Sequence, residues 1–313
     1  MTEKKILIIR MHDPSDVVAV GLPAVRYFKQ QFPEADLELL TYGPQTEFIK
    51  LAEPRLQVMP LPQEPWPDNI IPAMEYFIGI AGKIIEGEYS QIVNLDTSFM
   101  PCFLARFLKD AGEPVVGNFI GMSVEQLLTE FQQQSLSPDY VNQSQNYLQS
   151  SFLGMPKWRN MWWQFGTTPD NGYPEFYLRH CCGFDQLDFE LQVDVEANHT
   201  LLKKQMSGPV IAVGQLPEEK EILKRLEKEG YEAWALSDYQ DSVRKTLSCL
   251  KASDLIISQP DTSYWYAKSA GCKTLLISGD IEPTTLMPDY ATELGESLVI
   301  DELLSDIREL FAG

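Results

Sequence analysis

The feature that most constrains the fold is a repeated alternation of short apolar runs with helical stretches. The run at Lys5–Ile9 is apolar throughout after its lysine, as expected for a strand buried on both faces of a parallel sheet. A helical pattern follows from about Ser15 to Gln31, with Ser15 as a suitable N-cap. Strands that alternate with helices in this way predict an α/β fold built on mostly parallel, doubly wound sheets.

Two such series are present in the 313 residues, and a chain of this length is too long for one typical core. A helical stretch at Ala197–Lys204 leads from the first series into the second. Residues 122–172 interrupt the alternation and predict helices and a loop. The strands that we predict are Lys5–Ile9, Asp36–Tyr42, Leu56–Met59, Gln91–Leu95, Pro114–Gly117, Val210–Val213, Tyr231–Leu236, Leu255–Ser258 and Thr274–Ile277.

We therefore expect two Rossmann-like domains that face a cleft, at residues 1–190 and 191–300. The last predicted helix lies within 301–313, and we expect it to pack back on the N-terminal domain or on the hinge. In open parallel sheets, ligands bind beside the carboxyl ends of the strands. Candidate functional residues should therefore come directly after strands.

The overall charge limits the partners. The formal net charge is −20, which opposes binding to nucleic acid and to anionic membranes. We find no signal peptide and no run of about 18 uncharged apolar residues, so at most peripheral membrane contact is expected. The five cysteines include no C-x-x-C pair, which indicates reduced thiols and a cytoplasmic protein. The three histidines are far apart, and we expect no metal site and no cofactor.

Three segments that follow predicted strands carry candidate site residues. In the first, Asp16 lies in the first turn of the first helix, where the helix dipole stabilises a carboxylate. Such a group suits a general base that accepts a proton from a hydroxyl. A plain capping role is the alternative. His12 and Asp13 are the runner-up bases in the same loop.

The second segment follows the strand at Gln91–Leu95 and contains Asn94, Asp96 and Thr97. These residues are candidates for ligand binding, although a capping turn is the commoner role for a pair such as Asp96 and Thr97. The third segment, after Leu255–Ser258, contains Asp261 and Thr262 at the start of a helix. Free N–H groups at a helix N-terminus bind phosphate, although either residue could also be an ordinary cap.

These segments resemble the family 9 glycosyltransferases, which are the bacterial heptosyltransferases. The first match is Ser15-Asp16-Val17 followed by Leu22-Pro23-Ala24-Val25-Arg26, with a stretch from Asp16 to Pro23 that is one residue longer than in the family. The second match covers Tyr89, Leu95 and Leu104-Ala105-Arg106, with Met100 near a basic position of the family. The third runs from Ser253 to Ile257 and continues through Asp261, Thr262, Gly279, Glu282 and Pro283, with Ser263 and Tyr266 replacing a glycine and a histidine.

The resemblance implies a fold of the GT-B type and an inverting, metal-independent glycosyltransferase. The enzyme would move a heptose-like sugar from a nucleotide diphosphate donor, by resemblance ADP-heptose, to a hydroxyl of a glycan acceptor in lipopolysaccharide or glycan biosynthesis. Asp16 would be the catalytic base. The donor-binding residues would be Gly214, Lys220, Asp261, Thr262, Ser263, Tyr266, Gly279 and Glu282. Lys220 could instead be a solvated helix residue.

Two other functions remain open. The chain could be a catalytically degenerate relative that binds a glycan or a protein partner, because Ser15, Met100, Ser263 and Tyr266 depart from the family at motif positions. It could also be a sugar epimerase or hydrolase on the same fold. The candidate acceptor contacts are Asn94, Asp96, Thr97, Trp158 and Trp163. Trp faces stack on sugar rings, although burial in a core is the commoner role of Trp.

Overall fold

The computed structural model describes residues 4–11, 14–61, 70–161, 168–239, 241–295 and 298–312. These residues form two compact units. The first holds the described residues of 1–46, 55–162 and 174–189, and the second holds those of 47–54, 163–173 and 190–313. Among the described residues, no helix is long and apolar enough to cross a bilayer. All five cysteines are free and buried.

The first unit contains a six-stranded sheet in the order β3-β2-β1-β4-β5-β6. Strands β1 to β5 are parallel, as predicted, and β6 pairs with β5 in the antiparallel direction. The edge strand β3 carries Pro60, which pairs with Thr41 of β2. The strands are β1 Lys5–Arg10, β2 Asp36–Tyr42, β3 Gln57–Leu61, β4 Gln91–Asn94, β5 Val115–Ile120 and β6 Leu148–Ser150.

In the described part of the chain between Pro14 and Phe176 there are ten α-helical segments. Those from α6 to α9, with β6, occupy the stretch predicted as helices and a loop. The segments are α1 Pro14–Asp16, α2 Leu22–Gln31, α3 Thr46–Ala52, α4 Ile70–Glu86, α5 Phe99–Asp110, α6 Val124–Gln132, α7 Pro138–Asn142, α8 Ser144–Tyr147, α9 Met155–Arg159 and α10 Tyr173–Phe176.

The core of the first unit is built on β1, whose residues Ile6–Ile9 are completely buried. Leu7 and Ile9 pack with apolar residues of α4 and α5, including Phe77 and Leu104. Ile6 and Ile8 alternate to the other face of the sheet. The buried strand predicted from the apolar run is therefore confirmed.

The first helical region contains a wide turn. Residues Val17–Gly21 form a π-helical turn between α1 and α2, and all five are buried. A π turn holds one more residue than an α-helical turn does. The resemblance described above gives the chain one residue more than the family in this stretch, and a π turn accommodates one such residue. A second π turn, Tyr177–Cys181, follows α10.

The second unit contains a five-stranded parallel sheet in the order β11-β10-β9-β7-β8. The strands are β7 Val210–Val213, β8 Glu232–Ala235, β9 Leu255–Ser258, β10 Lys273–Leu276 and β11 Tyr290–Ala291. The helices are α11 His199–Gln205, α12 Glu219–Lys228, α13 Val243–Lys251, α14 Thr262–Ala270 and α15 Ile300–Phe311.

The position of the C-terminal helix corrects one prediction. Leu303, Leu304 and Ile307 of α15 pack in the core of the second unit, together with Ile222 and Leu226 of α12. The expectation that this helix returns to the N-terminal domain or the hinge was therefore wrong for its apolar face. The physical reason is that α15 is amphipathic and the second sheet offers an apolar face beside α12.

Candidate functional site

The first candidate site lies where β1 and β4 end. Strand β2 pairs with one side of β1 and strand β4 pairs with its other side, so the direction in which strands are added to the sheet reverses at β1. This is the topological switch point, where ligands bind in open α/β sheets. We call the ends of β1, β2, β4 and β5, with the described residues of the loops after them, the carboxyl edge of the first sheet.

Arg10, the last residue of β1, organises this edge. Its Nη2 lies 2.5 Å from Asp16 Oδ2, and its Nη1 lies 3.3 Å from Asp96 Oδ1. Nη1 also donates to the carbonyl of Leu95 at 2.6 Å. The residue is only 6% exposed. One buried cation is thus shared by two carboxylates, of which Asp16 is the more accessible, with a side chain that is 22% exposed.

Asp96 and Asn94 are completely buried. Asp96 Oδ2 accepts the backbone N–H of Met11 at 2.7 Å, and the Asp96 N–H donates to Asn94 Oδ1 at 3.0 Å. Asn94 Nδ2 donates to the carbonyl of Asn118 at 2.8 Å. These bonds connect the ends of β1, β4 and β5. Of the three residues predicted from this segment, only Thr97 is partly exposed.

Tyr177, the first residue of the second π turn, joins the same network. Its hydroxyl donates to the carbonyl of Leu95 at 2.7 Å and accepts from Asn118 Nδ2 at 2.9 Å. Burial raises the pKa of Tyr177 well above its usual value, so the phenol stays neutral. The half-buried ring of Trp158 lies 4.8 Å from the Tyr177 ring. The structure therefore brings Asp16, Asp96 and Trp158 to one region through Arg10 and Tyr177.

Three predicted residues of the first sheet's site cannot be placed. His12, Asp13 and Trp163 lie outside the described residues.

The second candidate site lies where β7 and β9 end, which is the switch point of the second sheet. Gly214 follows β7, and its N–H donates to the carbonyl of Ile257 at 2.8 Å. A Cβ at this position would lie 3.0 Å from Ser263 Oγ and 3.1 Å from the Ile257 carbonyl oxygen. The absence of a side chain at Gly214 therefore allows β7 to approach the start of α14.

Asp261 caps α14. Its Oδ1 accepts the backbone N–H of Ser263 at 2.8 Å and the Ser263 hydroxyl at 2.5 Å. The capping alternative is confirmed for Asp261, and phosphate binding at this helix end stays a prediction. Ser258, at the end of β9, is completely buried, and its hydroxyl has no hydrogen-bond partner among the described residues.

Tyr266 is half-buried and stacks on Phe48 of α3, with the ring centroids 5.3 Å apart. The preceding residue of α3, Glu47, accepts the backbone N–H groups of Val243 and Arg244 at the start of α13, at 3.2 and 3.1 Å. Both carboxylate oxygens of Glu47 therefore accept hydrogen bonds at the N-terminus of α13, where the helix dipole favours a negative charge.

The other predicted donor residues lie at the surface. Lys220 is exposed on α12, and Gly279 and Glu282 are exposed in the segment after β10. Gly279 has a φ of 54°, a left-handed conformation that favours glycine.

The sequence analysis missed Arg10 and Tyr177. Arg10 carries a usable signal, since a guanidinium at the end of an apolar strand needs a partner and acidic residues follow both β1 and β4. Tyr177 carries no such signal, because the sequence around a tyrosine in a helix does not indicate which strand end its hydroxyl contacts.

Known protein structures resemble this chain in fold but share few identical residues with it. No protein-family model matches the sequence, and no curated protein matches it. The structure of the ADP-heptose lps heptosyltransferase II of E. coli matches with a TM-score of 0.58 and 12% identity over 98% of each chain. A family 9 glycosyl transferase from Veillonella parvula matches with a TM-score of 0.58 and 11% identity, over 99% of this chain and 89% of that chain.

A third similar structure has another assignment. A Listeria monocytogenes protein assigned provisionally as a UDP-N-acetylglucosamine 2-epimerase matches with a TM-score of 0.53 and 10% identity, over 100% of this chain and 89% of that chain. At these identities the likeness concerns the fold. The predicted α/β fold of the GT-B type is confirmed, and it is the fold that this chain shares with the family 9 glycosyltransferases and the heptosyltransferases.

Proposed function

We propose that the chain is a glycosyltransferase that moves a sugar from a nucleotide diphosphate donor to a hydroxyl of a glycan acceptor. The observation that carries the proposal is the placement of Asp16. Its carboxylate is partly exposed and is held by Arg10 at the switch point of the first sheet, within a fold shared along nearly the whole chain with heptosyltransferases. The motif resemblance and the fold therefore support the same activity independently.

In the proposed reaction Asp16 is the general base. It accepts the proton of the acceptor hydroxyl as that oxygen attacks the anomeric carbon of the donor sugar. The bond between this carbon and the phosphate oxygen breaks, and the nucleotide diphosphate leaves with the electron pair. A single displacement inverts the anomeric centre and requires no metal in the chemistry proposed. The donor sugar is heptose-like by resemblance, with ADP-heptose as the first candidate.

The donor would bind in the second unit, at the start of α14. Free N–H groups there and the hydroxyl of Thr262 suit a diphosphate, and they would stabilise the charge that develops on it. Gly214 contributes by letting the end of β7 pack closely against the start of α14. Lys220, Tyr266, Gly279 and Glu282 stay candidates for this site, and a cytoplasmic location stays a prediction.

Titration calorimetry against a panel of nucleotide sugars, followed by a product assay, tests the function. We expect one donor to bind, and Asp16→Asn to keep donor binding while turnover falls by about 100-fold or more, because a positioned base contributes about 10²–10⁴. Glu113→Gln, which removes a charge near the opposite end of the first sheet, should leave turnover unchanged. Binding of no donor would contradict the proposal.

A specific observation favours the degenerate alternative. Asp261 and Ser263 bond to each other, and Tyr266 stacks on Phe48, so side chains at three motif positions already have internal partners. If the chain is a binding protein, the same panel should give no donor complex while a glycan or protein ligand still binds. An epimerase or hydrolase, for which the Listeria match is the support, would be revealed by its product: an isomerised or free sugar without transfer.

A further inference from the structure

We propose that Lys268 is a positioning residue for the donor, because it holds the segment after β10 that contains two candidate donor contacts. These contacts are Gly279 and Glu282, so the inference rests on the proposed function and deepens it. We call residues 277–289, which connect β10 with β11, the β10 loop. Lys268 lies in the second half of α14, whereas the start of this helix is the proposed diphosphate site.

Hydrogen bonds within the β10 loop connect Glu282 to Met287. Glu282 precedes a short 3-10 helix, Pro283–Thr285, and its carbonyl accepts the Thr285 N–H at 2.9 Å. The Met287 N–H donates to the Pro283 carbonyl at 2.8 Å. The backbone position of Glu282 therefore depends on how firmly Met287 is held.

Met287 is a strained residue of this loop. Its φ is 55°, in the left-handed region that a residue with a side chain rarely adopts. It also precedes Pro288, and a residue before proline prefers an extended backbone. Such a conformation persists where the surrounding structure holds it, and residues of this kind cluster at ligand sites. The β10 loop therefore depends on contacts from outside it.

Two side chains of α14 supply such contacts. Lys268 Nζ donates to the Met287 carbonyl at 2.6 Å. The hydroxyl of the buried Tyr264 donates to the preceding carbonyl, that of Leu286, at 2.8 Å. The two side chains are four residues apart and so share one face of the helix. Because a hydrogen bond from an ammonium is stronger than one from a neutral hydroxyl, Lys268 holds the strained residue more firmly than Tyr264 holds Leu286.

The surroundings of Lys268 make its position costly. The side chain is half-buried, where an ammonium loses part of its hydration. This burial lowers the pKa of Lys268, and the nearby Asp289 carboxylate opposes the shift. Asp289 is itself held by the N–H and the hydroxyl of Thr274, at 2.8 and 3.0 Å. The bond to Met287 and the charge of Asp289 therefore offset the cost of placing an ammonium here.

Through Lys268, α14 links two parts of the proposed donor site. The helix begins at Thr262, where N–H groups would bind the diphosphate, and Lys268 lies about 9 Å further along its axis. One rigid element thus supports both the diphosphate site and the β10 loop, which is how a binding site is kept in its productive geometry. Lys268 acts on the donor through the loop and needs no contact with the donor itself.

Kinetics of Lys268→Met with ADP-heptose, or with the nucleotide sugar that the calorimetric panel identifies, test the inference. The substitution keeps a long side chain and removes the bond to Met287. We expect the donor KM to rise about tenfold and kcat to stay within about twofold, because support for donor binding is lost while Asp16 is unchanged. Lys268→Arg should restore most of the affinity, since a guanidinium also donates to a carbonyl. The control Lys228→Met, at an exposed position of α12, should leave both constants unchanged.

Met287→Gly distinguishes a positioning role from direct contact with the donor. Glycine adopts a φ of 55° without strain. The double variant Lys268→Met/Met287→Gly should therefore recover a donor KM within about threefold of wild type. If Lys268 bound the donor directly, the second substitution could not compensate for its loss. An unchanged KM in Lys268→Met, or no recovery in the double variant, would overturn the inference while leaving the transferase intact. Binding of no nucleotide sugar to the wild-type chain would instead reject the proposed function, and this inference with it.

Discussion

Arg10 fixes the positions of the Asp16 and Asp96 carboxylates by forming an ion pair with each. Burying an isolated charge is costly, and removing one partner of a buried ion pair costs about 3–5 kcal/mol. Asp96 is completely buried and Arg10 nearly so, and each makes a further hydrogen bond: Asp96 accepts one from the Met11 N–H, and Arg10 donates one to the Leu95 carbonyl. The arrangement holds Asp16 in one place and leaves part of its carboxylate exposed. Substitution of Arg10 would therefore reduce stability and activity together.

The cysteines provide a residue-scale prediction. Burial raises the pKa of all five thiols, to about 12 for Cys181. Because the thiolate is the reactive form, the native chain at pH 8 should react with fewer than about one equivalent of Ellman's reagent within minutes. The chain in denaturant should react with five, the number of its free cysteines. Fast reaction of two or more native thiols would contradict the burial.

The same shifts give a pH dependence. The folded thiols have raised pKa values, whereas unfolded thiols ionise near about 8.5. The contribution of these thiols to the free energy of unfolding is therefore fully present below about pH 8.5. It is lost as the pH rises from there towards the pKa values of the folded thiols. Thermal unfolding measured from pH 7 to 10 should show a falling melting temperature above about pH 8.5.

At the scale of elements, the π turn at Val17–Gly21 can accommodate the extra residue that the sequence resemblance indicates in this stretch. A residue inserted into an α-helix would rotate the part of the helix before it by about 100° relative to the part after it. The wide turn absorbs this residue, so Leu22–Gln31 keeps its packing while Asp16 still reaches Arg10. Gly21 lies over the Arg10 side chain, with a virtual Cβ 3.7 Å from Arg10 Cγ.

Deletion of Ala19 tests this interpretation. Without it the segment should become a regular α-helix, and Asp16 should turn by about 100° away from Arg10. We expect donor binding and circular dichroism close to wild type, and turnover reduced to the level of Asp16→Asn. Gly21→Ala, whose Cβ meets only ordinary contacts, is the matched control and should keep most activity. Normal turnover of the deletion variant would show that the turn does not position Asp16.

The elements also show what a sequence can reveal. Strands such as Leu7–Ile9 and Ile211–Val213 are buried on both faces, so their apolar runs identify them. The strand Leu148–Ser150 was missed because three residues at an antiparallel edge, two of them polar, give no pattern. Asp261 was predicted at the start of a helix. The sequence could not show that its carboxylate caps the helix, because that role depends on hydrogen bonds from the Ser263 N–H and hydroxyl, which residue spacing does not reveal.

At the scale of the whole molecule, the order of elements is better preserved than the residues. Only 12% of positions are identical in the E. coli heptosyltransferase II comparison, yet 98% of each chain is aligned. Cores accept many apolar substitutions when volume and pattern are kept, whereas the order of strands in a sheet cannot change gradually. The fold was therefore predictable from alternation alone. The network around Arg10 was not predicted, because Arg10 and Tyr177 both bond to Leu95 across 85 and 82 residues of sequence.

The proline in the edge strand of the first sheet has a consequence for behaviour at high concentration. An exposed edge can template the addition of a strand from another molecule, and this is a route to aggregation. Pro60 is exposed on β3 and has no N–H to offer to such a strand. Pro60→Thr should therefore increase light scattering and thioflavin binding on prolonged incubation, while Gln57→Thr, in the same strand, should not. Equal scattering from both variants would mean that this proline does not protect the chain from self-assembly.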